Sequence, residues 1–166
     1  MKDMFEVEHI RNHLQTLRRD VHEAYRFISE AVRCAKPDAL RETLRRKGMS
    51  RFRANLLVDL MILLGAADLT AHPSDRGEAP LEVWISAGRI SASELASKLN
   101  SFGRNVMDAY ILIVRTQRKY GSAWRRWIIK ALERKGVDDR AAELILDFLL
   151  MCGVIYEPHP GVVKRT

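Results

Sequence analysis

"LRRKGMSRFRANLLVDLMILLG" (residues 44–65) can be written directly above "LERKGVDDRAAELILDFLLMCG" (residues 132–153) without a gap. The offset is 88, and eight of the 22 positions are identical: Leu44/Leu132, Arg46/Arg134, Lys47/Lys135, Gly48/Gly136, Ala54/Ala142, Leu56/Leu144, Asp59/Asp147 and Gly65/Gly153. Most other pairs exchange one apolar residue for another. Upstream, "VHEAYRFI" (21–28) lies over "VMDAYILI" (106–113) at an offset of 85, and the loops "CAKPD" and "QRKYGSA" absorb the difference. Self-similarity of this kind means two copies of one supersecondary unit. The repeat divides the chain into residues 1–86 and 87–166.

Each copy opens with a heptad-patterned helix. In the first, Val7, Ile10, Leu14, Leu17, Val21, Ala24, Ile28 and Ala31 follow spacings of three and four; in the second, Ala92, Leu95, Leu99, Phe102, Val106, Ala109 and Ile113 do so. Such a stripe serves a coiled coil or a helix turned inward on its own core. Nothing between Asp3 and Ala35 breaks the first helix, whereas Gly103 is expected to split the second. A shorter helix follows, at 37–47 or 122–135. Pro37 suits the first turn and Ser122 is placed to cap the second copy. Gly48 and Gly136 suit helix C-termini. A third helix, 50–64 or 138–152, ends at Gly65 or Gly153. Each copy closes with a hairpin: "AADLT" to "LEVWI" in the first, "VIY" to "VVK" around "EPHPG" in the second. Three helices and a β-hairpin is the winged-helix order, so the expected fold is mainly α with small hairpin wings, as tandem winged-helix domains.

The 166 residues are 47% hydrophobic and carry a formal charge of +7. No apolar run reaches a membrane span, no signal peptide opens the chain, and Cys34 and Cys152 form no metal or redox spacing. These features point to a soluble cytoplasmic protein with free thiols. Residues 1–85 hold 14 Lys+Arg and 13 Asp+Glu, and residues 86–166 hold 14 and 8, so the second half carries +6 of the +7. A basic half fits a polyanionic partner, and the excess of Arg over Lys fits a thermophile.

"LILDFLLMCGVIYEPHPGVVKRT" (144–166) resembles the end of the C-terminal winged-helix domain of archaeal minichromosome maintenance helicases, where a third helix ends in Gly and enters an IYEP-x-PG wing with a basic finish. The pattern extends over about 106–166 and is sharp over 144–165. The helicase ATPase is missing, since no Walker A glycine loop occurs. The resemblance implies a winged-helix module in DNA replication or transcription regulation, and winged helices serve DNA binding and protein docking alike.

A helix-turn-helix reader needs a polar outward face on its third helix. Here "LLVDLMILL" (56–64) and "LILDFLLMC" (144–152) are apolar nearly all round. Leu56, Leu60, Leu63, Leu144, Phe148 and Met151 are therefore expected at an interface, between the two copies or in a homodimer, the homodimer being preferred. The first turn of the third helix offers Ser50, Arg51, Arg53 and Asn55 in copy one but Asp138, Asp139 and Glu143 in copy two, which suits capping rather than DNA.

The cations of copy two precede that helix. Arg115, Arg118, Lys119, Ser122, Arg125, Arg126 and Lys130 form the candidate phosphate site, with His159, Lys164 and Arg165 from the wing. Arg45, Arg46, Arg51 and Arg53 are the alternatives in copy one. The competing reading is a solvated basic face. Tyr120 and Trp124 suit stacking on unpaired bases, while Trp127 is read as core and Trp124 as a partial anchor. His9 and His13 share a helix face without a third ligand and read as surface residues. No enzyme, metal or cofactor is expected. The function read from this is a nucleic-acid-binding accessory, regulatory or architectural factor associated with an archaeal nucleoid, with duplex DNA favoured. A protein–protein adaptor using the apolar third helices, and a nucleic-acid-packaging protein of viral type, are the alternatives.

Overall fold

A computed structural model describes residues 2–30, 36–72 and 82–166. Among these residues the chain is mainly helical: α1 (Lys2–Glu30), α2 (Pro37–Arg46), α3 (Arg51–Leu63), β1 (Ala67–His72), β2 (Glu82–Ala87), α4 (Ala92–Tyr120), β3 (Ala123–Trp124), α5 (Arg125–Arg134), α6 (Asp139–Cys152), β4 (Ile155–His159) and β5 (Val162–Arg165). No described helix is long and apolar enough to cross a membrane. The order of three helices and a hairpin occurs twice, and copy two adds the short strand β3.

Most of each heptad stripe is the buried face of α1 or α4, although Val7 and Leu14 are half-buried and Ala92 is exposed. Ile10, Leu17, Val21, Ala24 and Ile28 are buried on the first, and Leu95, Leu99, Phe102, Val106, Ala109 and Ile113 on the second. Ala31 lies outside the described residues. Gly103 does not split α4, which runs unbroken from Ala92 to Tyr120. A mid-helix glycine costs only about 1 kcal/mol, and the buried residues on either side of this one outweigh that. A Cβ at Gly103 would lie 3.5 Å from Leu14, an ordinary packing distance.

The chain divides into two compact units: Met1–Thr16 with Lys98–Thr166 (unit one), and Leu17–Ser97 (unit two). The repeat cuts the sequence at 86/87, whereas packing assigns residues 1–16 to the unit that holds copy two. The length of α1 explains this, since 29 residues extend about 43 Å, more than one small core can cover.

In unit one, α6 is buried nearly all round through Ala142, Leu144, Ile145, Leu146, Phe148, Leu149 and Cys152. Phe148 meets Phe102 edge to face, with ring centroids 6.1 Å apart. Asp138 caps α6 by accepting from the Arg140 and Ala141 amides at 2.6 and 3.3 Å. Gly153 ends the helix in the left-handed region, with φ at 74°. The sheet has the order β3-β5-β4 and is antiparallel. Trp124 pairs with Val162, which pairs with His159, and the register shifts between Tyr156 and His159. The start of α1 is tied to the same core: His9 Nε2 donates to the Cys152 carbonyl at 2.9 Å, and Arg165 Nε donates to Glu6 at 2.8 Å.

In unit two, Pro37 opens α2 and Ser50 caps α3, its Oγ accepting from the Arg53 amide at 3.2 Å. Arg53 pairs with the buried Asp20. The β1–β2 hairpin runs in register from Ala67↔Ala87 to His72↔Glu82. Beyond β2, the Gly88 amide donates to the Ala66 carbonyl at 2.9 Å. A Cβ at Gly88 would stand 1.8 Å from the Gly65 carbonyl oxygen, so only glycine fits there.

The third helices are largely covered within the chain. Leu56, Leu60, Leu144 and Phe148 are buried within the single chain, and Leu63 and Met151 are half-buried. The apolar side chains of Leu56, Leu60, Leu144 and Phe148 thus pack within the chain's own core.

Candidate nucleic-acid interface

The solvent side of α5 is Arg126, Trp127, Lys130, Glu133 and Arg134, all exposed, while Ile128 and Leu132 are buried on the opposite side. The last turns of α4 expose Arg115, Arg118, Lys119 and Tyr120. Between the two helices, Gly121 takes a positive φ of 81° and allows the chain to turn directly into β3. The end of α4 and the start of α5 are thereby held close together in sequence, with exposed cations on each.

Arg125 is not part of that exposed set. Its Nη1 donates to Glu157 and its Nη2 to Asp147, each at 3.1 Å, and its amide donates to the Gly161 carbonyl at 2.8 Å. One guanidinium thus clamps the start of α5 to α6 and to the β4–β5 hairpin. Arg165 and Arg53 are also held by carboxylates, Glu6 and Asp20 respectively. These three residues of the expected phosphate set have internal anions instead. Ser122 is half-buried and caps nothing in α5: the helix starts at Arg125, with extended Trp124 at the cap position and no side-chain cap hydrogen bond. The strand pairing of Ala123 and Trp124 moves the helix start past the serine. His159 is exposed at the hairpin end and Lys164 is half-buried on β5.

Copy one presents a different electrostatic surface. Its α2–α3 cleft has a volume of about 620 Å³ and is lined by Asp38, Arg41, Glu42, Arg45, Arg51, Ala54, Asn55 and Asp59. The cations there alternate with acids. Arg41 pairs with Asp38 at 3.1 Å, and Glu42 lies 3.7 Å from Arg45 and 3.8 Å from Arg46. Arg51 is exposed at the cleft edge. The 88-residue offset makes the contrast position by position. Asp38 and Glu42 become Arg126 and Lys130, while Arg45 and Arg51 become Glu133 and Asp139. All eight side chains are exposed, so the reversal concerns surface alone.

A second difference was not legible from composition. Trp127, expected in the core, is 51% exposed, and it lies beside Trp124 (47%) and Tyr120 (61%). Ring centroids are 6.2 Å apart for Tyr120–Trp127 and 6.3 Å for Trp124–Trp127, and the Lys119 ammonium lies 5.1 Å from the Tyr120 ring centre. The repeat held the signal: Trp127 aligns with exposed Ala39, whereas the buried Leu40 aligns with Ile128.

Among the described residues no group of three His, Cys, Asp or Glu side chains is arranged to hold a metal ion. The Cys152 thiol is buried, and burial pushes its pKa up to about 12, which removes it as a nucleophile near neutrality. No protein-family model, curated protein or solved structure matches this chain.

Proposed function

We propose that the chain is a non-enzymatic tandem winged-helix protein that binds nucleic acid, duplex DNA foremost, through phosphate contacts from copy two. The repeated order of three helices and a hairpin supports the winged-helix reading. So does the strand β3 that completes a three-stranded sheet in copy two, together with the resemblance of residues 144–165 to the archaeal helicase module. The observation that carries the functional reading is the sign reversal on the second helix. Copy one has Asp38 and Glu42 where copy two exposes Arg126 and Lys130. A cation in the first turn of a helix, as Arg126 is in α5, opposes its dipole and lowers its intrinsic stability. Its presence there is accounted for by an anion outside the helix.

The third helix of copy two is a poor reader of base edges, because it is buried and opens with Asp138 and Asp139. Binding is therefore carried by backbone contacts and is indifferent to sequence, as suits an accessory, architectural or regulatory factor of archaeal-type replication or transcription, working at the nucleoid. The adaptor reading ranks second, because it needs an open apolar third helix and Leu56, Leu60, Leu144 and Phe148 are buried.

The test is fluorescence anisotropy on a labelled duplex over a salt series. Arg126→Ala with Lys130→Ala should weaken all sequences alike and flatten the plot of log K against log salt by about 1.8, at 0.9 per lost phosphate contact. An unchanged affinity and slope in the double variant would refute the assignment.

A further inference from the structure

We propose that Tyr120, Trp124 and Trp127 form a stacking platform for unpaired nucleobases, so that the ligand of unit one includes single-stranded nucleic acid. The inference rests on the nucleic-acid reading above and adds single-stranded nucleic acid to the duplex which that reading puts first. The three rings come from the end of α4, from β3 and from the first turn of α5, and their centroids lie 6.2–6.3 Å apart along the series. Roughly half of each ring system is left in water, although large aromatic side chains are strongly favoured inside a fold. In a duplex the base faces are covered by neighbouring bases, and only edges, sugars and phosphates are presented. Flat rings gain most from a strand whose bases are free to stack on them.

The same residue types make hot spots in protein interfaces. The charge around this cluster favours the nucleic acid. Lys119 sits over Tyr120, Arg126 directly precedes Trp127, and Lys130 lies one turn further along the same helix. Planar apolar faces alternating with cations match a polymer that alternates bases with phosphates. An acidic peptide supplies the charge without the rings.

The test uses the full chain carrying Trp84→Phe, so that tryptophan emission reports Trp124 and Trp127 alone. Four probes are titrated: an oligothymidylate of about 12 nucleotides, an abasic strand of equal length, a blunt duplex and polyglutamate. The thymidylate should quench emission and bind about tenfold or more tightly than the abasic strand. Trp124→Ala with Trp127→Ala, which leaves no tryptophan and is therefore read by the anisotropy of end-labelled strands, should erase that difference and leave abasic binding intact. The Phe replacements at both positions should restore most of it, and the single Trp127→Ala change, on an exposed helix face, guards against a folding defect. Equal binding of thymidylate and abasic strand by the parent protein would overturn the platform while leaving the phosphate site standing. So would polyglutamate that quenches and binds as well as thymidylate, which would make the patch a dock for acidic protein. Binding of no strand of any kind would overturn the nucleic-acid reading and the platform together.

Discussion

Arg125 and Arg126 are neighbours in sequence and should have opposite roles, which makes their comparison decisive. The Arg125 side chain is 22% exposed, and its two carboxylate partners, Asp147 and Glu157, are each 32% exposed. Fully exposed pairs contribute 0–1 kcal/mol, and removing one member of a buried pair costs about 3–5 kcal/mol. Two partly buried pairs fall between these limits, at about 1 kcal/mol each. Arg125→Ala should therefore cost about 2 kcal/mol, with Asp147 and Glu157 both left without their cation. For a chain of this length that lowers Tm by roughly 4–8 °C. Arg125→Lys keeps a charge without the planar fork and should recover less than half of the loss. The assay pairs thermal melting by circular dichroism with duplex anisotropy on Arg125→Ala and Arg126→Ala. The first variant should melt early and, below its transition, bind with an unchanged salt slope; the second should melt normally and bind less. An Arg125→Ala protein that melts like the parent and binds with a shallower slope would show that Arg125 contacts phosphate, and the clamp would be wrong.

Two further outcomes concern the core of unit one. Phe148 is fully buried against Phe102, so Phe148→Ala should cost about 3–5 kcal/mol in denaturant unfolding; a loss below about 1 kcal/mol would show that the site is not packed. In a Cys34→Ser background, Cys152 should resist alkylation at pH 8 until denaturant is added. Its folded pKa of about 12 stands above the ordinary 9.0, so the unfolded chain loses its proton first and the Cys152 contribution to stability should decline as pH rises from about 9 to about 12. Rapid native alkylation would contradict that burial.

The repeat carried most of what was legible in advance. Helix order, the glycine stops at 48, 65, 136 and 153, and both hairpins follow from spacings of apolar residues and from positions that need positive φ. The errors came from long-range contacts. Ser122 looked like a cap because serine precedes a helical stretch, but the pairing of Trp124 with Val162 delays the helix to Arg125. Arg125, Arg165 and Arg53 looked like free cations because their carboxylate partners lie 22 to 159 positions away in the chain. Gly103 looked like a break because propensity is local, while its helix is held by buried neighbours. The third helices looked like an interface because a helix apolar on all sides must be covered; the sequence does not say that the same chain covers them.

The two copies share buried residues, and at four exposed positions they carry opposite charges. Leu44/Leu132, Ala54/Ala142 and Leu56/Leu144 are identical and buried in both. Asp38/Arg126, Glu42/Lys130, Arg45/Glu133 and Arg51/Asp139 are exposed in both and opposite in sign. Arg46/Arg134 and Lys47/Lys135 are also exposed in both and keep their sign, so the reversal is confined to particular positions, and at the start of α5 it places a cation against the helix dipole. In copy one Asp38 lies in the first turn of α2 and Arg45 and Arg46 in its last, an order that suits the helix dipole, and Arg41–Asp38 and Arg45–Glu42 pair within one turn. In copy two, Arg126 and Lys130 stand exposed beside an exposed aromatic cluster, an arrangement that contributes little to the fold and is suited to a ligand bearing both phosphates and bases.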